Sequence, residues 1–346
     1  MALRLVQVGL GGIGGHWFRT VLTNNPAVEL VGWVEIIEEV LANAIEQWGL
    51  PAEKCFTSLD EALKQCEPDA VLITASLAGH VSSARTALLA GKHVLMEKPF
   101  APSIAEAKEL VELAERQQRI LMISQNYRFS PRVQVAKHLL EQKIVGEVGT
   151  VYIDFRFYAN AINDPNHRHY QIWQPLLADM AIHHFDLMRY VLGQEPQTIS
   201  CVTWNPIGSH FKDAPSASAT ITFERGTVVS YRGSWVSQAR TTAWTGEWQM
   251  DCDQGEIFWS DRSESPSQDV YLQVQPIWQP RTDVEIPEFD LPKDFHGSLS
   301  AFIQAIQSGK QPSSAGSDNI KSLALTFAAI ASASAHGAPI TISSLL

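Results

Sequence analysis

The segment that most restricts the fold is the first one. Residues 3–8, LRLVQV, read as a short apolar strand; GLGGIGG follows as a turn, and HWFRTVLTNN has helical spacing. Gly9, Gly11 and Gly14 satisfy G-x-G-x-x-G, with Gly12 and Ile13 between the last two. Alone the pattern is weak, because glycine-rich turns are common. Between a strand and a helix it gains a meaning: a tight turn, backbone N–H groups close to a pyrophosphate, and a helix N-terminus with a favourable dipole. The second strand, VELVGWV, closes on Glu35, about 20 residues past the turn, where a carboxylate accepts from a ribose 2′-hydroxyl and repels a 2′-phosphate. Ile36 and Ile37 come next, with no Arg or Lys, which favours NAD over NADP.

The alternation of helix and apolar strand continues through AVLITAS (70–76), GHVSSARTALLAG (79–91), HVLMEKP (93–99), SIAEAKELVELAERQQ (103–118) and ILMISQN (120–126). Ser103 is placed as an N-cap and Gly91 as a C-cap. Apolar rather than alternating strands predict a parallel sheet covered on both faces. Beyond about residue 125 the pattern changes to longer strands with period two, such as TVYIDFRFYA, QTISCVTW and SASATITFE. The expectation is an α/β chain: a Rossmann dinucleotide-binding domain over 1–123, then an α/β domain over 124–346 with a large, mostly antiparallel, open-faced sheet. Helices are expected near 177–192, 297–308 and 318–336.

A chain of 346 residues exceeds one ordinary core, which agrees with two domains. Its net charge of −11 argues against nucleic acid or an anionic membrane as partner. No apolar run reaches the roughly 18 residues of a membrane span. The glycines interrupt any signal-peptide reading of the N-terminus. The cysteines Cys55, Cys66, Cys201 and Cys252 lack C-x-x-C spacing and read as reduced thiols of a cytoplasmic protein.

In an open parallel sheet, ligands lie beyond the carboxyl ends of the strands. Ala75 and Ser76 end one such strand, and Glu97 and Lys98 end the next, so all four are assigned to the cofactor cleft. Pro99 is tolerated where the ladder finishes and narrows the directions open to Lys98. In LLADMAIHHFDLMRYVLG (176–193), Asp179 and His183 are four apart and share one helix face. A carboxylate beside an imidazole orients it and raises its basicity, which suits removal of an alcohol proton as hydride leaves the carbon. His184 and Asp186 lie on other faces and read as structural. In SQNYRFSP (124–131), Gln125, Asn126 and Arg128 either line the cofactor or cap the crossover.

These segments together resemble the Gfo/Idh/MocA oxidoreductase family, which includes glucose–fructose oxidoreductase and inositol dehydrogenases. The likeness rests on VGLGGIG, the EKP triplet, QNYRFSP with LLEQKIVGEVG, DMAIHHFDLMRYVLG and the C-terminal FHGSLSAFIQAIQSGKQP through SAHGAPITI, in this order. The resemblance implies that Lys98 stands between the substrate hydroxyl and nicotinamide, that Asp179 and His183 form the acid/base pair, and that Asn126 and Arg128 belong to the segment closing over the cofactor. It also implies a homodimer or homotetramer formed through the C-terminal sheet. One departure stands out: a glycine-rich run usually precedes the aspartate, and here the sequence is WQPLLAD. The loop entering that helix must therefore take another shape.

The stretch 157–175 is dense in polar and aromatic residues suited to a polyol. Asn163, Arg168, Tyr170 and Trp173, with Arg128, Lys98, Asp179 and His183, are assigned to substrate; Arg168 is the candidate for a substrate carboxylate. Its histidines and Asp164 form no completed cluster, so no metal is expected. Trp235, Trp244, Trp248 and Trp259 read as sheet packing or a dimer face rather than a carbohydrate platform. The expected activity is NAD-dependent hydride transfer with a sugar, inositol or related polyol. The alternatives are a glycosidase-like enzyme using tightly bound NAD, or a non-catalytic nucleotide sensor.

Overall fold

The structure, a computed structural model, describes residues 2–162, 164–287 and 292–346. It divides into two compact units, one of residues 1–126 and 292–320, the other of 127–291 and 321–346. Residues 292–320, expected in the second domain, group with the first unit.

The first unit is built on β1 (Leu3–Val8), β2 (Val28–Val34), β3 (Cys55–Phe56), β4 (Ala70–Ile73), β5 (His93–Met96) and β6 (Leu121–Ile123). They form one parallel sheet in the order β3-β2-β1-β4-β5-β6. The order reverses direction between β1 and β4, which is where a doubly wound sheet opens its ligand crevice. Leu5, Val6, Val71, Leu72, Ile73, Val94 and Leu95 are all fully buried, as central strands covered on both faces require. The crossover helices are α1 (Gly12–Trp17), α2 (Glu38–Trp48), α3 (Leu59–Cys66), α4 (Leu77–Leu89) and α5 (Ile104–Arg116). A π turn, Phe18–Leu22, prolongs α1. Ser103 caps α5, its Oγ accepting from the Glu106 N–H at 3.2 Å. Burial leaves these helices to be held by packing rather than by propensity.

In the second unit α6 (Pro131–Glu141) precedes β7 (Val148–Arg156), and α7 (Ile182–Leu192) precedes β8 (Pro196–Trp204). Then come β9 (Ser216–Phe223), β10 (Val228–Ser234), β11 (Glu247–Cys252), β12 (Gly255–Ser260), β13 (Tyr271–Pro276) and β14 (Thr282–Asp283). After α8 (Asp294–Ser308) and α9 (Gly316–Ser334), β15 (Ile340–Thr341) completes a nine-stranded sheet. Its pairs are antiparallel except β7 with β10, which run parallel in the middle. Along β7 the side chains alternate: Val151, Ile153 and Phe155 are buried, whereas Tyr152 is 46% exposed. One face is covered and the other is open. Trp248 and Trp259 are directly opposed across β11 and β12, stacked with centroids 4.5 Å apart, so these two tryptophans are sheet packing. His184 is core as well, its ring nitrogens 3.0 Å from the Tyr231 hydroxyl and 2.9 Å from the Trp244 carbonyl.

The returning segment closes the outer edge of the first sheet. The Ile123 N–H donates to the Ser314 carbonyl at 3.0 Å, and Met122 forms an antiparallel bridge with Ala315. Phe295 of α8 meets Trp17 edge-on at 5.2 Å.

Candidate functional site

The glycine turn is shaped from beneath. The Thr74 hydroxyl donates to the Gly9 carbonyl at 2.6 Å, and the Gln7 amide donates to the Gly14 carbonyl at 2.8 Å. Gly9 has φ +89°, and a Cβ there would lie 2.3 Å from the Ala75 nitrogen. A Cβ on Gly14 would lie 2.1 Å from the Gly9 carbonyl oxygen. These two glycines are demanded by the fold. Gly11 and Gly12 are not, since a Cβ on either would meet nothing within 4 Å. They are exposed at the N-terminus of α1, beside Ile13, with their small size unused by the protein itself. That open cradle fits a pyrophosphate.

Glu35 stands just past β2, nearly buried. Its carboxylate accepts from the Leu10 N–H at 2.9 Å and the Ile37 N–H at 3.1 Å, which fixes the acid against the glycine turn. A carboxylate keeps acceptor capacity beyond two bonds, so it fits a ribose hydroxyl. Ile36 is 78% exposed next to it. Ala75 and Ser76 lie at the neighbouring turn, with Ala75 against Gly9 and Ser76 exposed at the N-cap of α4. The structure thus brings Gly9, Gly11, Gly12, Ile13, Gly14, Glu35, Ala75 and Ser76 to the carboxyl ends of β1, β2 and β4.

Lys98 follows the end of β5, half-buried, and its N–H donates to the Glu97 carboxylate at 3.3 Å. Glu97 itself faces inward. Its Oε1 accepts from the Trp17 indole at 2.7 Å, and burial pushes its pKa up, opposed by Trp17 and Lys98. The carboxyl of Glu97, a residue expected at the cofactor, is turned inward and holds the strand end that carries Lys98. His80 links the same two turns, its Nδ1 2.8 Å from the Pro99 carbonyl and its Nε2 3.0 Å from that of Ala75. Both oxygens are acceptors, so only an imidazolium could donate to both. Burial lowers the His80 pKa, opposed by the hydrogen bonds to the Pro99 and Ala75 backbone. Gln125 and Asn126 end the first segment of the unit, both buried. The Gln125 side-chain amide has no hydrogen-bond partner among the described residues.

In the second unit the helix carrying Asp179 and His183 is not α-helical throughout. Pro175–Ala181 is a π segment, and α7 starts at Ile182. Such segments recur at functional sites because they re-aim side chains between two periods. In place of glycine, Gln174 takes the left-handed conformation at the entry, φ 46°, with its N–H donating to Asp213 at 3.0 Å. Asp179 is half-buried at the end of the π segment and His183 is 6% exposed in the first turn of α7. The Tyr127 ring lies parallel to the His183 imidazole, with centroids 4.2 Å apart and planes within 6°. Burial raises the Tyr127 pKa, as do the charges of Asp179 and Glu264, while Arg262 opposes them. His169 also faces Asp179, which raises its pKa against the larger lowering by burial.

Two residues expected at the substrate make hydrogen bonds within the second unit. Arg128 is 3% exposed and pairs with Asp186 through two hydrogen bonds of 2.6 Å. Its guanidinium fork faces a carboxylate of the core. Tyr170 is fully buried. Its hydroxyl has one proton to donate, with the carbonyls of Ala159 and Ile162 in reach at 3.1 and 3.2 Å, and it accepts from the Ile162 N–H at 3.0 Å, so it organises the loop from inside. Arg168 is exposed and Trp173 is 53% exposed. Asn163 lies outside the described residues. Among those residues no group of three or more His, Cys, Asp or Glu could hold a metal ion.

A parallel sheet with a glycine turn and an acid at the carboxyl ends of its strands has the form of a Rossmann dinucleotide-binding domain. The particular family follows from comparison: residues 3–125 match the model described as the oxidoreductase family with NAD-binding Rossmann fold, and 133–258 match the GFO/IDH/MocA C-terminal domain. The chain belongs to the Gfo/Idh/MocA oxidoreductase family. It is 28% identical over 255 residues to the uncharacterized protein y4oX of Sinorhizobium fredii, covering 72% of this chain and 70% of that one. It is 26% identical over 197 residues to the myo-inositol 2-dehydrogenase of Thermotoga maritima, a match spanning 57% of each. An oxidoreductase of Agrobacterium radiobacter, solved with NAD+, L-tartaric acid and magnesium, shares the fold with a TM-score of 0.85 and 21% identity over the full length of both chains.

Proposed function

We propose that this chain is an NAD-dependent dehydrogenase that interconverts a secondary alcohol and a ketone on a sugar, cyclitol or sugar acid. The observation that carries the reading is the buried His183 imidazole, stacked on Tyr127 at the start of α7 just past the π segment that holds Asp179. Bound NAD supplies the hydride acceptor. His183 takes the hydroxyl proton as the C–H bond breaks, and Asp179 favours the imidazolium that results. Lys98 polarises the hydroxyl oxygen and stabilises its developing negative charge. Glu35 selects NAD, because a 2′-phosphate would meet a carboxylate and two isoleucines rather than a cation.

The relatives support the substrate class. One is named a myo-inositol dehydrogenase and another structure holds tartrate, both carrying secondary hydroxyls. The reading also places the chain in the cytoplasm, which its four free cysteines support. It makes the chain a homo-oligomer through the open sheet face, supported by the exposed Tyr152, Val202 and Trp204.

A panel of sugars, cyclitols and sugar acids with NAD and NADP, followed by reduced-cofactor absorbance, tests the proposal. Lys98→Met and His183→Asn should each abolish turnover with NAD still bound. Wild-type rates in either variant would refute it.

A further inference from the structure

Tyr127 lies between two residues assigned from sequence, Asn126 and Arg128, yet it is Tyr127 that touches the proposed base. Its ring covers the His183 imidazole at 4.2 Å. The Arg262 guanidinium carbon lies 4.1 Å from the centroid of the same ring. Two groups that close to one centroid cannot share a face, so the phenol is held between the guanidinium and the imidazole. Arg262 is itself held in an unusual way. Its φ is +66°, a left-handed conformation that a non-glycine residue keeps only where its surroundings enforce it. Here they do: the Arg262 N–H donates to the Asp261 carboxylate at 2.9 Å, and its carbonyl accepts from the Trp244 N–H at 3.1 Å. Asp261 is in turn fixed by the Arg132 N–H at 3.0 Å and by the Thr245 hydroxyl, which accepts from its N–H at 2.8 Å.

An imidazole turns easily about its second side-chain torsion, because that well is broad. A flat neighbour on one face removes most of this freedom, provided the neighbour cannot retreat. A cation on the far side of the phenol prevents the retreat, since it is attracted to the ring face. We propose that Tyr127, backed by Arg262, fixes the plane of the His183 imidazole and acts as a positioning residue for proton transfer. The catalytic half of this statement rests on His183 being the base, whereas the geometric half does not.

The two halves separate in one experiment on the full-length protein. Histidine-labelled protein gives the His183 ring resonances, assigned by their absence in His183→Asn. A ring stacked at this distance shifts them upfield. Tyr127→Phe should keep the shift, Tyr127→Leu should lose it, and Arg262→Met should reduce it. The shift is read without substrate, so it judges the stack whatever the chain oxidises. In NAD-dependent oxidation of myo-inositol, Tyr127→Leu should lower kcat by about tenfold to a hundredfold with NAD affinity unchanged. Tyr127→Phe should restore it, and Tyr127→Leu should add nothing on the His183→Asn background. An unshifted His183 signal in the wild type, or a shift that survives Tyr127→Leu, would overturn the stack. An unchanged shift in Arg262→Met would overturn the role of Arg262. Full activity in His183→Asn, with the upfield shift present in the wild type, would sink the proposed base instead.

Discussion

Trp17 and Glu97, 80 residues apart in the chain, meet in the interior of the first unit, where the indole N–H donates to the carboxyl oxygen at 2.7 Å. The contact ties the first βα turn to the strand end that carries Lys98. A buried carboxyl needs such a donor. Trp17→Phe removes the donor together with part of the buried ring, so it should lower stability by about 1–3 kcal/mol. The loss should grow as pH rises, because the ionised carboxylate is the form that depends most on the lost donor, and burial already raises this pKa. Urea unfolding should show a lower midpoint at unchanged slope. An unmoved midpoint would mean that water replaces the indole.

Gly9 and Gly11 belong to the same turn but answer to different demands. In Gly9→Ala the new methyl would sit 2.3 Å from the Ala75 nitrogen at a φ of +89°, so the protein should be strongly destabilised even without cofactor. In Gly11→Ala the methyl meets nothing within 4 Å, and φ is −69°, so the melting temperature should not move. NAD affinity in that variant should fall by about a hundredfold, since the methyl fills the pyrophosphate cradle. Calorimetry of folding and of NAD binding on both variants checks the pair. Unimpaired binding in Gly11→Ala would remove the cradle from the site.

His184 sets a pH dependence. Burial lowers its pKa from 6.5 to about 4, partly opposed by the Trp244 carbonyl. Between these values the unfolded chain binds the proton and the folded chain does not. Stability is therefore complete above pH 6.5 and falls as pH drops toward 4, by up to about 3 kcal/mol from this ring. In His184→Gln the decline over that window should be shallower, whatever its stability at pH 7. Melting curves at pH 7, 6, 5 and 4 measure it, and parallel curves would show that His184 is already charged in the fold.

What could be read from the sequence was what neighbouring positions encode. The glycine turn, Glu35 after β2 and the apolar strands are local patterns, and each recurs in the fold. Partners remote in sequence were not legible. Arg128 looked available for substrate because its acid, Asp186, comes 58 residues later. Tyr170 looked like a ligand contact because polarity does not reveal which backbone carbonyls a hydroxyl will meet. Gln7 and Thr74 did leave a trace, as polar residues in otherwise apolar strands, and both turned out to brace the glycine turn. Trp17 and Tyr127 left none, since an aromatic residue at a helical or junction position is ordinary core. The return of residues 292–320 to the first unit was invisible for the same reason: helical period shows that a face is buried, not where.

That return bears on how the molecule can be cut. A gene fragment ending at residue 126 would encode all six strands of the parallel sheet. It would omit Ser314 and Ala315, which take up the outer rim of β6. A bare rim of this kind offers its amides to any passing strand and invites self-association. A nucleotide-binding fragment that stays dispersed must carry a grafted copy of the distant segment, so the two pieces can be inherited or engineered only together.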